Sequence, residues 1–379
     1  MDFSWTQAQE ELYQKMRDLT RDALGNTDRE VNAYWTRAEW QTCGALGLLG
    51  LCVPGKYGGG DHSATMTARL IEAFGYGCED MGLVFSASAH LLSCAMPLVE
   101  YGEEALKKKY LPGLSSGELV GANAITEQEA GSDVFALKTR AVRQDDSYIL
   151  SGLKSYVSNG PVADLFVVYA VTNPVHGYMG VTGFVVEKGT PGLVVGEPFH
   201  KIGLTSTPAC QVRFEECRVP IANRIGREGQ GAQVFKRSMQ WERSCLFALY
   251  LGQMERELER TLAYACERHQ FGKSIGKHQA VAHRLADMKL RLEAARLLLY
   301  RACWLLDQGQ DSTLAISLAK LAVSEAAIQG GLDAIHIHGS VGVGYEYGIE
   351  RMLRDAIPSA IFSGTSEMQR NIIANELGL

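Results

Sequence analysis

Between positions 285 and 306 the residues Leu285, Met288, Leu292, Ala295, Leu299, Ala302 and Leu306 recur at spacings of 3, 4, 3, 4, 3 and 4. An α-helix returns such a series to one face, and an apolar stripe of that length must be covered by other helices. This part of the chain therefore specifies a helical bundle. Asp307-Gln-Gly-Gln-Asp311 ends the run, and a second seam is expected at Leu314, Leu318, Leu321, Glu325, Ile328, Leu332 and Ile335. Before about residue 227 the texture is different. Tyr148-Ile-Leu150, Leu165-Phe-Val-Val-Tyr169, Phe184-Val-Val186 and Val212-Arg-Phe214 are short β-branched and aromatic runs. Turn signals at Asp145-Asp146, Asn159-Gly160 and Pro191-Gly192 separate them, which predicts a β-barrel or sandwich. Upstream of residue 121 helical patterning returns. Thr6-x-x-Gln9 fits a capping box, Leu12, Met16 and Leu19 continue that helix, and Gly58-Gly-Gly60 breaks the region. Further helices are expected over about 64–77 and 83–101. The order predicts an α+β chain with a helical domain at 1–120, a central β-domain at 121–226 and a helical domain at 227–379. Helices and strands do not alternate, which disfavours a doubly wound nucleotide-binding sheet. Gly339-Ser-Val-Gly342-Val-Gly344 follows a helical pattern and is not read as a dinucleotide fingerprint.

Charge and cysteine usage narrow the function classes. The formal net charge is -6 and the one basic run, Lys107-Lys108-Lys109, reads as a solvated helix end, so nucleic acid is not an expected partner. Nine cysteines without a CxxC pair read as small buried hydrophobes in a reducing compartment, with neither disulfides nor a metal site. The opening MDFSWTQAQEELYQ lacks the basic and then apolar run of a signal peptide. No apolar stretch is read as approaching the roughly 20 residues of a membrane span. A soluble, cytoplasmic protein is expected.

Five segments in order then resemble one family. Thr126-Glu-Gln-Glu-Ala-Gly-Ser-Asp133 resembles the "TEPxAGSD" loop of acyl-CoA dehydrogenases, and Lys154-Ser-Tyr-Val-Ser-Asn-Gly160 their "KxWITNG" strand. Glu267-Arg-His-Gln-Phe-Gly-Lys273 is similar to "ERxxFGKxI" and is followed by Gln279. Arg354-Asp-Ala356 and Ser363-Gly-Thr-Ser-Glu367 resemble the "RDA…EGTSE" ending. The resemblance implies an N-terminal helical domain, a central β-domain, a C-terminal four-helix bundle, and FAD held between subunits of a dimer or tetramer. It implies Ile125, Thr126, Ser132, Tyr156 and Ser158 as flavin contacts from one subunit, with Thr365 and Glu367 beside them. Arg268, Phe271, Gln279 and His336 are implied as contacts from the neighbouring one. Small hydroxyl residues near glycine suit such a cofactor, because they let the backbone approach a flat ring and bond its edge. Gln128, Tyr156 and His336 stand where relatives commonly have Pro, Trp and Gln.

The chemistry that the resemblance implies needs a carboxylate to take the α-proton of a thioester while hydride leaves its β-carbon. Many relatives supply it from a "YEGT" glutamate, but here that position is Ser363, too weak a base. Glu242 is the candidate base. It has no basic partner at i±3 or i±4, its neighbours there being Ser238, Met239, Cys245 and Leu246. Glu325 competes, for it also falls on an apolar seam. Trp241-Glu-Arg243 resembles the base site of the isovaleryl-CoA dehydrogenase branch, which favours Glu242. Ser132, Arg243 and Ser363 are expected beside the substrate. Met239-Gln-Trp-Glu-Arg-Ser-Cys-Leu246, Asn173-Pro-Val-His-Gly-Tyr178 and Ile361-Phe-Ser-Gly-Thr365 resemble the dehydrogenases that act on prolyl groups tethered to peptidyl carrier proteins. Thr205 replaces the Arg of a loop common in acyl-CoA enzymes. The expectation is a carrier-bound aminoacyl thioester as substrate, with an electron-transfer flavoprotein or oxygen as acceptor. A short- or branched-chain acyl-CoA dehydrogenase and an inactive flavin-binding scaffold are the alternatives.

Overall fold

The computed structural model describes residues 4–25 and 33–379. Residues 1–3 of the opening stretch and residues 26–32 of the first helical region lie outside the described residues. Helix α1 (Gln7–Leu24) starts at the capping box: Thr6 Oγ1 accepts from Gln9 N and Gln9 Oε1 accepts from Thr6 N at 2.9 Å. α2 (Arg37–Ala45), α3 (Ala64–Gly77), α4 (Met81–Ala89), α5 (Met96–Tyr101) and α6 (Glu104–Ser116) follow. A π-helical turn, His90–Ala95, joins α4 and α5 into one helix of 21 residues, Met81–Tyr101. Its mean hydropathy reaches 1.6, so the sequence does hold a stretch of span length, contrary to the reading above. Inside the molecule 89% of that window is buried, so it serves as a core helix. The three lysines 107–109 lie within α6 rather than at its end, because the helix continues through Pro112 to Ser116.

The central region forms one eight-stranded sheet from β1 (Gly121–Ala124), β2 (Arg140–Gln144), β3 (Ser147–Ser158), β4 (Leu165–Val171), β5 (Val181–Glu187), β6 (Leu193–Val195), β7 (Ala209–Pro220) and β8 (Arg224–Ile225). The order is β6-β7-β3-β2-β4-β5-β8, with β1 paired in parallel to β4. Alternation divides the strands between two cores. Phe166, Val168, Phe184 and Val186 fill the sheet's own interior, whereas Val167, Tyr169 and Val185 join the helical core.

α7 (Gly231–Trp241) passes through a second π-helical turn, Glu242–Leu246, into α8 (Ala248–Glu267). The hairpin β9 (His269–Gln270) and β10 (Lys273–Ser274) leads to α9 (Gln279–Asp307) and α10 (Thr313–His338). α11 (Ser340–Val343), α12 (Ile349–Ala356) and α13 (Ser366–Glu376) complete the chain. α9 buries every residue of its seam. Each leucine among them contributes about 2 kcal/mol by leaving water. The second seam lies elsewhere than expected. α10 buries Ala315, Ala319, Val323, Ala326, Ala327, Gly330, Gly331 and Ala334, while Leu332 is 37% exposed and Glu325 is exposed. α10 is packed between α8, α9, α12 and α13, and small side chains let those axes approach. Ile316 and Ile337 are buried with them, whereas Leu314, Leu318, Leu321, Ile328 and Ile335 are only partly buried. Eight of the nine cysteines are buried; Cys266 is exposed, against the reading that all were core residues.

Candidate active site

The site is assembled where β1 crosses the first π-helical turn. Gly121 permits the crossing, because a Cβ there would stand 2.8 Å from Cys94 Cβ. Its N–H donates to His90 Nδ1 at 2.8 Å, and His90 Nε2 is 3.0 Å from Leu114 O. Burial holds that imidazole neutral, its pKa lowered to about 4. The chain after β1 is then pinned to β3 by a buried cation. Lys154, fully buried, donates to Ile125 O at 3.0 Å and to Glu127 Oε1 at 2.8 Å. Glu127 also accepts from Lys138 N at 2.7 Å and Thr139 N at 3.0 Å. Burial lowers the Lys154 pKa to about 8, with Glu127 pulling it back up. Two residues further on, β3 leaves its register with β7 between Lys154 and Val157, and Tyr156 takes φ 57. The bulge leaves the Tyr156 ring 64% exposed, while Ser155 N donates to Thr126 O at 2.8 Å.

Glu242 opens the second π-helical turn and is 8% exposed. Ser93, on the first π-helical turn, donates to its Oε2, and Ser363 donates to its Oε1. Burial raises the Glu242 pKa; the Ser363 and Ser93 hydroxyls and the Arg243 charge only partly offset it. Ser363 and Gly364 are successive left-handed residues at φ 56 and 88. Arg243 Nε holds that turn through Ser363 O at 2.7 Å, and Gln369 Nε2 through Gly364 O at 3.1 Å. The structure thus contains a carboxylate whose basicity burial raises, while two hydroxyls orient it and partly restrain that rise, which suits a general base.

Ile125, Thr126, Ser132, Tyr156, Ser158, Glu242, Arg243 and Ser363 all line one cavity of about 200 Å³. The hydroxyls of Thr126, Ser132 and Ser158 make no hydrogen bond within the described residues. Three free hydroxyls and an exposed aromatic face along one wall fit the edge and plane of an isoalloxazine. Seven of the residues singled out by sequence lie outside the cavity. Thr365 N-caps α13, accepting from Met368 N, and Glu367 is exposed on the first turn of that helix. Arg268, Phe271, Gln279 and His336 are exposed on the hairpin and the helices beside it, His336 lying 2.9 Å from Arg284 Nη1. Phe271 sits at the hairpin tip at φ 51 and is 94% exposed. Glu325 is also outside; it pairs with Arg370 at the surface, so the two carboxylates that looked alike in sequence are in opposite surroundings. Sequence reasoning missed Ser93, Asn123 and the positioning pair Lys154–Glu127. Ser93 carried little signal, because the same helix also holds Ser86, Ser88 and His90.

Models for three acyl-CoA dehydrogenase domains match the chain: the N-terminal domain at residues 6–118, the middle domain at 122–217 and the C-terminal domain at 229–378. The L-prolyl-[peptidyl-carrier protein] dehydrogenase of Pseudomonas fluorescens is 53% identical over 380 residues, covering 100% of both chains. Among solved structures, PigA with FAD and proline superposes with a TM-score of 0.97 at 44% identity, covering 100% of both chains. The prolyl acyl carrier protein oxidase AnaB gives a TM-score of 0.97 at 42% identity, covering 99% of this chain and 100% of its own.

Proposed function

The chain belongs to the acyl-CoA dehydrogenase family, and from that premise we propose that it is an FAD-dependent enzyme oxidising an L-prolyl group held as a thioester on a peptidyl carrier protein. Support for the substrate comes from the 53% identity, end to end, with a prolyl-carrier dehydrogenase. Support for the chemistry comes from one observation: Glu242, buried and bonded through both oxygens, stands on the cavity that Thr126, Ser132 and Ser158 line with free hydroxyls.

Glu242 takes the α-proton of the thioester. Its raised pKa brings its basicity nearer that of the carbanion-like carbon, and a positioned base of this kind contributes about 10²–10⁴-fold. Ser93 and Ser363 fix the carboxylate in one orientation, and Arg243 sets the Ser363 turn. Bound FAD supplies the acceptor for the two electrons that leave as hydride. Thr126, Ser132 and Ser158 would bond the edge of its ring, with Ile125 and Tyr156 against its plane. Thr365 and Glu367, at the start of α13, would contact FAD of their own subunit. Arg268, Phe271, Gln279 and His336 act from a second copy of the chain. A phenylalanine 94% exposed on a hairpin, with Leu332 exposed on α10, calls for a covering surface, so the protein works as a dimer or tetramer. The chain divides into 1–120, 121–226 and 227–379, with support from domain matches at 6–118, 122–217 and 229–378. A cytoplasmic location accords with eight buried, unpaired cysteines. AnaB is an oxidase, which favours oxygen over an electron-transfer flavoprotein as the final acceptor.

The test is to load a cognate carrier protein with L-proline and follow it by mass spectrometry under air. Loss of two or four hydrogens supports the reading. If isovaleryl- or butyryl-CoA is oxidised faster than the prolyl carrier, the enzyme is an acyl-CoA dehydrogenase. If no thioester reduces the flavin, it is a scaffold.

A further inference from the structure

Along β1 the side chains alternate. Ala122 and Ala124 enter the core of the sheet, whereas Gly121, Asn123 and Ile125 line the cavity. Of these three, Asn123 alone carries a polar side chain. Its Oδ1 is buried and has no hydrogen-bond partner among the described residues. The cavity sets apolar side chains, among them Phe85, Ile125, Phe235 and Met239, beside the hydroxyls of Thr126, Ser132 and Ser158, yet none of its groups bonds the Asn123 oxygen. β1 packs on the π-helical turn whose Ser93 holds Glu242, and Asn123 and Glu242 line the same cavity. An amide oxygen in such surroundings is uncompensated unless the occupant of the cavity brings an N–H to it.

The proposed substrate brings one. A prolyl ring differs from a cyclopentane ring by its secondary amine, which is a hydrogen-bond donor whether neutral or protonated. We propose that Asn123 is a specificity-determining residue, its Oδ1 accepting the N–H of the substrate's ring amine. The proposal rests on the prolyl reading of the preceding subsection. Asn159 Oδ1, on the same cavity, is unpaired too. Its Nδ2 is committed to Ser86 O at 3.1 Å and Gly121 O at 3.5 Å, so a change there would disturb β1 itself and Asn123 is the cleaner probe.

The experiment uses the FAD-loaded full-length enzyme and a carrier protein loaded with either L-prolyl or cyclopentanecarbonyl thioester. Flavin bleaching is timed for the wild type, Asn123→Leu and Asn123→Ala, the second variant guarding against misfit of the first. The prolyl-to-cyclopentanecarbonyl rate ratio is expected to fall about 10- to 100-fold in both variants, the range for losing one buried hydrogen bond to an amine. FAD content should stay at the wild-type level. An unchanged ratio, with both substrates slowed alike, would assign Asn123 to the thioester or the cofactor and overturn the proposal, as would loss of FAD from both variants. If the prolyl carrier fails to bleach the wild type, the functional reading itself falls. If it bleaches the wild type and the ratio holds in the variants, only the amine assignment falls.

Discussion

Removing the Ser93 hydroxyl should change the pH at which the enzyme works. Ser93 and Ser363 each donate to one oxygen of Glu242, and a donated bond stabilises the ionised carboxylate over the neutral acid. A hydrogen bond to a charged group is worth about 1.5–3 kcal/mol, and one pKa unit is about 1.36 kcal/mol. Ser93→Ala should therefore raise the Glu242 pKa further above its already raised value, and Ser363→Ala should do likewise. Glu242 is a base only when deprotonated, so the acidic limb of kcat/KM for flavin reduction moves to higher pH, with the alkaline plateau little changed. The stability effect has the matching sign. A carboxyl whose folded pKa is raised favours the folded state below its unfolded value near 4.5, and that contribution is lost as pH rises through the folded pKa. The variants should thus be least stable, relative to wild type, above that pKa. The assay is stopped-flow bleaching with prolyl carrier across a pH series. A limb that stays at the wild-type position in both variants would refute the claim that these hydroxyls tune the base.

Three further outcomes follow from the packing. Glu325→Gln breaks a half-exposed surface pair with Arg370 and should cost under about 1 kcal/mol in urea unfolding, with turnover preserved; a large loss of turnover would bring Glu325 back as a candidate base. Lys154→Met leaves Glu127 buried without its cation and should destabilise the protein by about 3–5 kcal/mol with weaker FAD retention, and a change under about 1 kcal/mol would show that the pair does not hold the loop. Phe271→Ser removes the exposed hairpin tip; sedimentation should show smaller assemblies with less FAD, and an intact, fully yellow oligomer would remove the hairpin from the interface.

What the sequence revealed and what it hid both have physical causes. The α9 seam was legible because its large residues and its buried face coincide. α10 was misread because close packing put Ala and Gly inside and left Leu332 partly outside, so size and burial part company there. The helix Met81–Tyr101 was recognised as helical but not as long enough to span a membrane, and only its burial tells which it is. Glu242 could be singled out by the absence of a helical partner. Its actual partners could not, because Ser93 and Ser363 come from 149 and 121 residues away in sequence. Asn123 was silent for a similar reason: one polar residue in a short strand acquires meaning only when its unpaired oxygen is found on the cavity that Glu242 lines.

The central claim, that Glu242 removes the α-proton of a carrier-bound prolyl thioester, is tested most directly by Glu242→Gln. Glutamine keeps the shape and the contacts with Ser93 and Ser363 but cannot take up the proton. Anaerobic mixing of the FAD-loaded variant with prolyl carrier should show flavin bleaching slowed by about 10²–10⁴-fold, with FAD still bound and Glu325→Gln bleaching at the wild-type rate. Bleaching of Glu242→Gln at close to the wild-type rate would contradict the account.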